Sequence, residues 1–271
     1  WVLTVKNLEI FCVTNKKLDY LEKLDLILVG VGKENFSEKY INCKKGINIE
    51  YKEKHYSELT FHYWFWKNML PNYSQNIWIG FCQKRRFWLS KKKVINNFEQ
   101  LNKHILKKIP KKWEKYESIL CDEIDVSNPK KMKLIKRGWK NLIKDPLIFL
   151  DKKKHTIKLH FDMHHGYGIL DEAIQLIKKK DRSEFANFVN RSSSFNPHIM
   201  FITKKEIMNK WFEDLFIWLF KCEKKFGLSN LKGYDQERIY AYLAERYLPF
   251  WFKKYTKNLS CPWIIFEKKR C

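Results

Sequence analysis

Four of the eight histidines fall between His155 and His165, and three of them stand around Asp162 in the stretch LHFDMHHGYG, residues 159–168. An imidazole titrates near neutrality, so a histidine close to a carboxylate is equipped to take a proton from a hydroxyl. His164 and His165 are the candidate bases, with Asp162 as orienting partner or alternative base. Asp-x-His also ligates metals, and a single histidine would default to ordinary packing. A second chemical stretch is CQKRRFW, residues 82–88. Only eight of the 54 basic residues are arginine, and Arg85 and Arg86 are adjacent. Their planar forks suit a diphosphate, although neighbouring side chains need not point the same way and a basic surface turn is the plainer alternative. A third stretch, CDEIDV at 121–126, sets Asp122, Glu123 and Asp125 close together. Glu123-x-Asp125 imitates the acid pair that holds a divalent metal against a diphosphate; a solvated turn is the plainer alternative. GVGK at 30–33 lacks a glycine at 27, where Ile27 stands, and a hydroxyl at 34, where Glu34 stands, so it is no phosphate loop. GxGxxG, GxSxG and HExxH are absent.

The elements that must position these groups are legible as apolar runs. LEIFCV (8–13), LDLILVGVG (24–32) and NIWIGFC (76–82) read as buried strands of an α/β sheet with helical stretches between them. DPLIFLD (145–151) and HIMFIT (198–203) read as two more. CQKRRFW follows the third run directly, and open α/β sheets bind ligands at the carboxyl ends of their strands. HYSELTFHYWFWKN (55–68) reads as a helix capped by Ser57, with Glu58 in its first turn. Its rings surround the helix, so most belong to the core, while Tyr56 and Glu58 at its beginning face a site. The second half reads as helical at 171–179 and 183–191. A long helix follows, opened by a Thr203–Glu206 capping box and stopped by Gly227. A last helix runs from Asp235 to Pro249; the final 20 residues stay unassigned.

The chain has 271 residues, 45% of them hydrophobic, enough for one large core or two modest ones. It begins at Trp1 rather than methionine, which leads us to expect a piece of a longer protein. No run of 18 apolar residues could span a bilayer, and no signal peptide is visible. The seven cysteines form no CxxC pair and read as free thiols of a reducing cytoplasm. A net charge of +24 attracts nucleic acid, anionic lipid or phosphorylated substrates. Yet 46 of the basic residues are lysines scattered along the chain, and much of that charge reads as solvated surface.

Several segments together resemble the domain-of-unknown-function family 4422, proteins of capsular and surface polysaccharide loci regarded as glycosyltransferases. They are TNK at 14–16, GINI at 46–49 with Lys52 after it, YSELT at 56–60, YWFWKN at 63–68 and IGFCQKRRFW at 79–88. HH at 164–165, IMFI at 199–202 and LAERYL at 243–248 continue the series. Order and spacing agree from residue 8 to about 250, and the combination is specific where each piece is weak. The chain departs from the family pattern where Asn15 and Gln83 replace histidines, Ile47 an aspartate and Ile199 an asparagine. It therefore resembles a divergent member, whose donor sugar and activity are less fixed than the family's.

The resemblance implies an α/β, GT-A-like (Rossmann-type) mixed sheet in the N-terminal half followed by a mainly helical C-terminal half. It implies one domain over 1–271, with residues 1–160 binding a nucleotide-sugar and 161–271 forming a helical acceptor or lid part. The implied activity moves a hexose from a nucleotide diphosphate donor, UDP-hexose or UDP-galactofuranose, to a hydroxyl of a growing capsular polysaccharide, with inversion. Thr14, Lys16, Asn48, Lys52, Tyr56 and Glu58 would contact the nucleotide or sugar. Arg85 and Arg86 would neutralise the departing diphosphate in place of a metal. Arg246 would reach the site or form a structural pair with Glu245. No cofactor is then required; a divalent metal, Mn or Mg, on Glu123 and Asp125 is the alternative. The implied partners are the UDP-sugar, a polysaccharide or lipid-linked oligosaccharide acceptor and the anionic inner face of the membrane, with no specific nucleic acid. Two rivals remain: a basic, aromatic nucleic-acid-binding module, and a catalytically silent scaffold of polysaccharide assembly.

Overall fold

A computed structural model of the chain describes residues 7–229, 231 and 233–267. Trp1, Arg270 and Cys271 lie outside them. Its strands, in chain order, are β1 (Leu8–Thr14), β2 (Ile27–Gly30), β3 (Ile41–Asn42), β4 (Trp78–Gln83), β5 (Arg86–Trp88) and β6 (Ser118–Cys121). They continue with β7 (Ile124–Asp125), β8 (Ser194–Phe195), β9 (Phe201–Lys204), β10 (Asn258–Cys261) and β11 (Trp263–Ile265). Contacts divide the chain into two units. The first comprises residues 1–122, 198–213 and 252–271; the second comprises 123–197 and 214–251.

The first unit is built on one sheet in the order β10-β6-β9-β4-β1-β2-β3. β1 runs parallel to both β2 and β4, with Phe11 opposite Ile27 on one side and Phe81 on the other. β9 is antiparallel to β4 and to β6. Strands buried on both faces need continuous apolar sequence, which LEIFCVT and WIGFCQ supply. The two-residue period then sends Ile10, Cys12, Trp78 and Cys82 into a core with Trp88, Leu101 and Trp113. Phe11 and Phe81 join Phe61 and Phe65 of helix Leu59–Asn68, with Phe11 5.4 Å from Phe61 and 5.0 Å from Phe65. Each of these rings contributes about 1.5–3 kcal/mol by leaving water. Gly80 is required where β9 crosses: a Cβ there would lie 2.6 Å from Cγ1 of Ile202.

The second unit is helical apart from the β7–β8 ribbon. Its core joins Phe185, Trp218 and Tyr247; Trp218 lies 4.9 Å from Tyr247, and its indole N–H donates to the Ala173 carbonyl at 2.7 Å.

Several local expectations change. Residues 145–151 form no strand: Pro146–Phe149 is a 3-10 turn, because Asp145 caps it by accepting from Leu147 N at 3.1 Å and Pro146 fits its first position. Ser57 is no N-cap. Residues 53–56 are already helical, and Ser57 (φ 52) is the kink between that turn and helix Leu59–Asn68. Thr203 lies inside β9 and donates to the Glu117 carbonyl at 2.7 Å, while Glu206 pairs with Lys210, so no capping box forms. Helix Lys205–Phe226 does stop before Gly227, whose φ of 71° suits glycine. The last helix begins at Ile239 and runs through Pro249 to Tyr255. The unassigned tail supplies β10, parallel to β6, and β11, antiparallel to β5, so the sheet draws strands from both halves of the sequence. The six cysteines among the described residues are free and buried.

Candidate functional site

In the first unit the carboxyl ends of β1, β2 and β4 lie side by side, with Thr14 opposite Gly30 and Val13 opposite Gln83. The chain leaves β1 toward β2 and β3, then returns on the other side of β1 as β4. Such a reversal opens a crevice beyond the strand ends where ligands bind. Thr14, buried, closes the turn after β1 by donating to the Lys16 carbonyl and accepting from Lys16 N at 3.0 Å. Asn15 donates to Glu53 at 3.4 Å and accepts from the Lys84 ammonium. Gly32 has a φ of 82°, and a Cβ there would sit 3.2 Å from the Glu53 carboxylate, so the loop after β2 passes close to that acid.

Gln83 is the hub of this edge. Its amide N–H donates to Glu58 and, at 2.7 Å, to the His198 carbonyl, while its oxygen accepts from Arg86 Nη1 at 2.7 Å. Arg86 Nε is buried and has no hydrogen-bond partner among the described residues. A charged donor without an acceptor is costly, and a ligand oxygen would relieve it. Arg85 instead pairs with Glu267 at an exposed position. The two guanidinium groups therefore differ in task.

Helix Leu59–Asn68 holds the neighbouring 44–49 loop. Asn68 accepts from Ile47 N at 3.0 Å and donates to Ile47 O at 2.8 Å. The Trp64 indole donates to Lys45 O at 2.5 Å. Asn48 folds back within the loop, donating to Gly46 O at 2.9 Å and Lys44 O at 3.1 Å. Tyr56 is fully buried, with the Lys52 ammonium 5.8 Å from its ring centre. Trp66 reaches Asn209 at 2.8 Å, so the two indoles of the helix hold polypeptide instead of filling the core as expected.

In the second unit helix Ile157–His165 carries the histidines. Asp162, His164, His165, Arg137, Lys140 and Asp235 line a cavity of about 530 Å³. His164 Nδ1 lies 2.9 Å from the His160 carbonyl, and His165 Nδ1 lies 3.2 Å from the Asp235 carbonyl. A carbonyl only accepts, so both rings carry their proton on Nδ1 and keep a lone pair on Nε2. Burial lowers the His164 pKa and pushes His165 down to about 2, so both are neutral at pH 7. His165 also stacks on Tyr242 with centroids 3.7 Å apart. Asp162 accepts from Lys158 at 2.7 Å, Asn141 at 2.8 Å and Gly168 N at 3.3 Å, while carbonyls orient the two imidazoles. Arg246 is buried, pairs with Glu245 and donates to His160 Nδ1 at 3.2 Å, above the Phe195 ring at 4.1 Å. Its Nε, like that of Arg86, has no hydrogen-bond partner among the described residues.

Glu123 accepts from Ser194, and Asp125 accepts from Ser127 N and Ser127 Oγ, both at 2.8 Å. Among the described residues no three His, Cys, Asp or Glu side chains gather as a metal-ligand set. Glu123 and Asp125 are thus each engaged by a serine. Sequence reasoning left Glu53, Lys84, His160 and Asp235 out of the site. Gln83 stands directly after the apolar run 76–82 and before a basic turn, where strand-end loops bind ligands.

No curated protein matches the chain. Among solved structures, the apo structure of WbbM, described as a bifunctional glycosyltransferase, superposes with a TM-score of 0.68 at 19% identity. The match covers 96% of this chain and 45% of the other, so the chain spans less than half of that protein. The likeness is one of fold, and it agrees with the α/β, GT-A-like class expected from the sequence. The model of a domain of unknown function, DUF4422, matches residues 9–257, and the chain belongs to that family.

Proposed function

We propose that the chain is a glycosyltransferase that takes a hexose from a nucleotide diphosphate donor, a UDP-hexose or UDP-galactofuranose. The observation that carries this reading is the β3-β2-β1-β4 crevice with Arg86 at its edge, whose Nε lacks a hydrogen-bond partner among the described residues. Arg86 neutralises the diphosphate, and Arg85 joins it by giving up Glu267. Thr14, Lys16, Asn48, Lys52 and Glu58 shape the donor's seat, and buried Tyr56 supports it. His164 Nε2 takes the proton of the acceptor hydroxyl; His165, pushed down to about 2 by burial, is the weaker alternative base. The hydroxyl oxygen attacks the anomeric carbon as the bond to the diphosphate oxygen breaks, which inverts the configuration. Asp162 keeps the role of alternative base, and Arg246 fixes the histidine helix through His160.

The acceptor in this reading is a growing surface polysaccharide or its lipid-linked precursor, met at the anionic inner face of the membrane. Among the described residues no helix is long and apolar enough to cross a bilayer. The lysine-rich surface supports contact by charge.

A thermal-shift panel of UDP-, GDP-, TDP- and CMP-sugars, with and without chelator, tests the reading. UDP-sugars alone are expected to raise Tm, with no effect of chelator, and Arg86→Ala to abolish the shift. No shift with any nucleotide overturns it. Salt-sensitive binding to random oligonucleotides instead points to the nucleic-acid module. A UDP-sugar shift without turnover points to the scaffold.

A further inference from the structure

Thirteen large apolar side chains are exposed among the described residues, and seven of them fall between residues 132 and 150. This segment begins with the helices Lys131–Arg137 and Trp139–Lys144 and ends in the Pro146–Phe149 turn. Leu134 is buried against Leu159 and Met163, with Leu142 and Ile148 packed beside them. Exposed along the same segment are Met132, Ile135, Trp139, Ile143, Leu147 and Leu150, three or four residues apart; Ile143 is 73% and Leu150 78% exposed. The Lys131 ammonium lies 5.6 Å from the Phe149 ring, so the segment folds back on itself and its two ends share one patch. A monomer seldom leaves such a cluster in water without a use.

The charge around the patch selects the occupant. Residues 130–154 hold ten Lys and Arg against two Asp. Protein interfaces are depleted in lysine, whereas surfaces that lie in a bilayer interface combine Lys and Arg with Trp, Phe and Leu. Lys144, Lys153, Lys154 and Lys158 also line a recess of about 490 Å³ beside this segment. Lys154 pairs there with Asp145, and Lys158 with Asp162 and Asp171, so Lys144 and Lys153 are the ammonium groups it offers a lipid phosphate.

We infer that residues 130–154 form a membrane-docking surface that inserts Trp139, Ile143, Leu147 and Leu150 among the headgroups of an anionic bilayer. This rests on the membrane contact proposed above and names the surface that makes it; it is independent of the sugar chemistry. Charge steers the segment to the lipid, and apolar insertion holds it there.

The test is flotation of the full chain with phosphatidylcholine vesicles with and without phosphatidylglycerol, for wild type, Ile143→Asp/Leu147→Asp and Lys152→Glu/Lys153→Glu. Wild type is expected to float with anionic vesicles only. The aspartate variant, altered at exposed positions and so unchanged in Tm, is expected to lose about tenfold or more in partitioning. The glutamate variant loses less at low salt and differs little from wild type at high salt. Aspartate-variant flotation equal to wild type overturns this surface but leaves membrane contact standing through charge elsewhere. Wild type that never floats overturns both. A concentration-dependent dimer that the aspartate variant breaks, with no flotation, assigns the patch to a second copy and overturns the proposal.

Discussion

The strand-end crevice of the first unit and the histidine cavity of the second present their polar groups in opposite ways. At the strand ends the side chains satisfy one another in two sets: Gln83 ties Glu58 to Arg86, and Asn15 ties Glu53 to Lys84. Arg86 Nε is the open position of the first set. In the cavity the imidazoles are fixed from behind by backbone carbonyls, which leaves each Nε2 lone pair available. The difference teaches how the proposed roles would divide: the first region would bind by exchanging internal partners for a ligand, and the second would move a proton through His164, the less buried of the two rings.

Substitutions that separate binding from turnover sharpen this contrast. His164→Ala is expected to cost about 100- to 10,000-fold in kcat while leaving the UDP-sugar thermal shift intact. An equal loss of the shift would break the division. Arg86→Ala is expected to weaken donor binding by about 1.5–3 kcal/mol, read as a raised KM and a lost thermal shift; Arg86→Lys restores only part, because the fork is gone.

Stability against pH sets one buried histidine of the first unit beside two of the second. His62, within 4.2 Å of the Phe81 ring centre, is pushed down to about 3 by burial; His160 falls to about 3 and His165 to about 2 for the same main reason. The unfolded chain binds protons on these rings near pH 6.5, and the folded chain refuses them. Stability is therefore full above about pH 6.5 and declines as pH falls toward 3, by about 1.4 kcal/mol per pH unit for each ring. Tm measured from pH 7.5 to 4.5 should decline on the acid side, and His62→Leu should flatten the slope by one ring's share. Arg85→Ala is the smallest change: its exposed pair with Glu267 is worth ~0–1 kcal/mol, and a KM effect below that of Arg86→Ala is expected.

β1, β2, β4 and β9 were legible because strands covered on both faces need unbroken apolar sequence, and the long helix because its stop at Gly227 is local. Residues 145–151 misled because apolar content alone does not separate a strand from an exposed amphipathic turn; Asp145-Pro146 carried the better signal. The tail was opaque because β10 and β11 are specified by β6 and β5, more than a hundred residues earlier in the chain. At the site, residue types showed chemistry but not partners. Arg85 and Arg86 look alike in sequence, and only the turn that puts Arg86 opposite Gln83 separates them. The aromatic-rich YWFWKN motif likewise concealed that Trp64 and Asn68 grip the 44–49 loop.

The tail strands bear on where this chain can be cut. The family match stops at Lys257, one residue short of β10. A shortened version trimmed to that boundary would strip β6 of β10 and β5 of β11, leaving each with one raw edge of unpaired amides. Such edges recruit other chains, so the trimmed product is expected in inclusion bodies and one that keeps Ile265 in the soluble fraction.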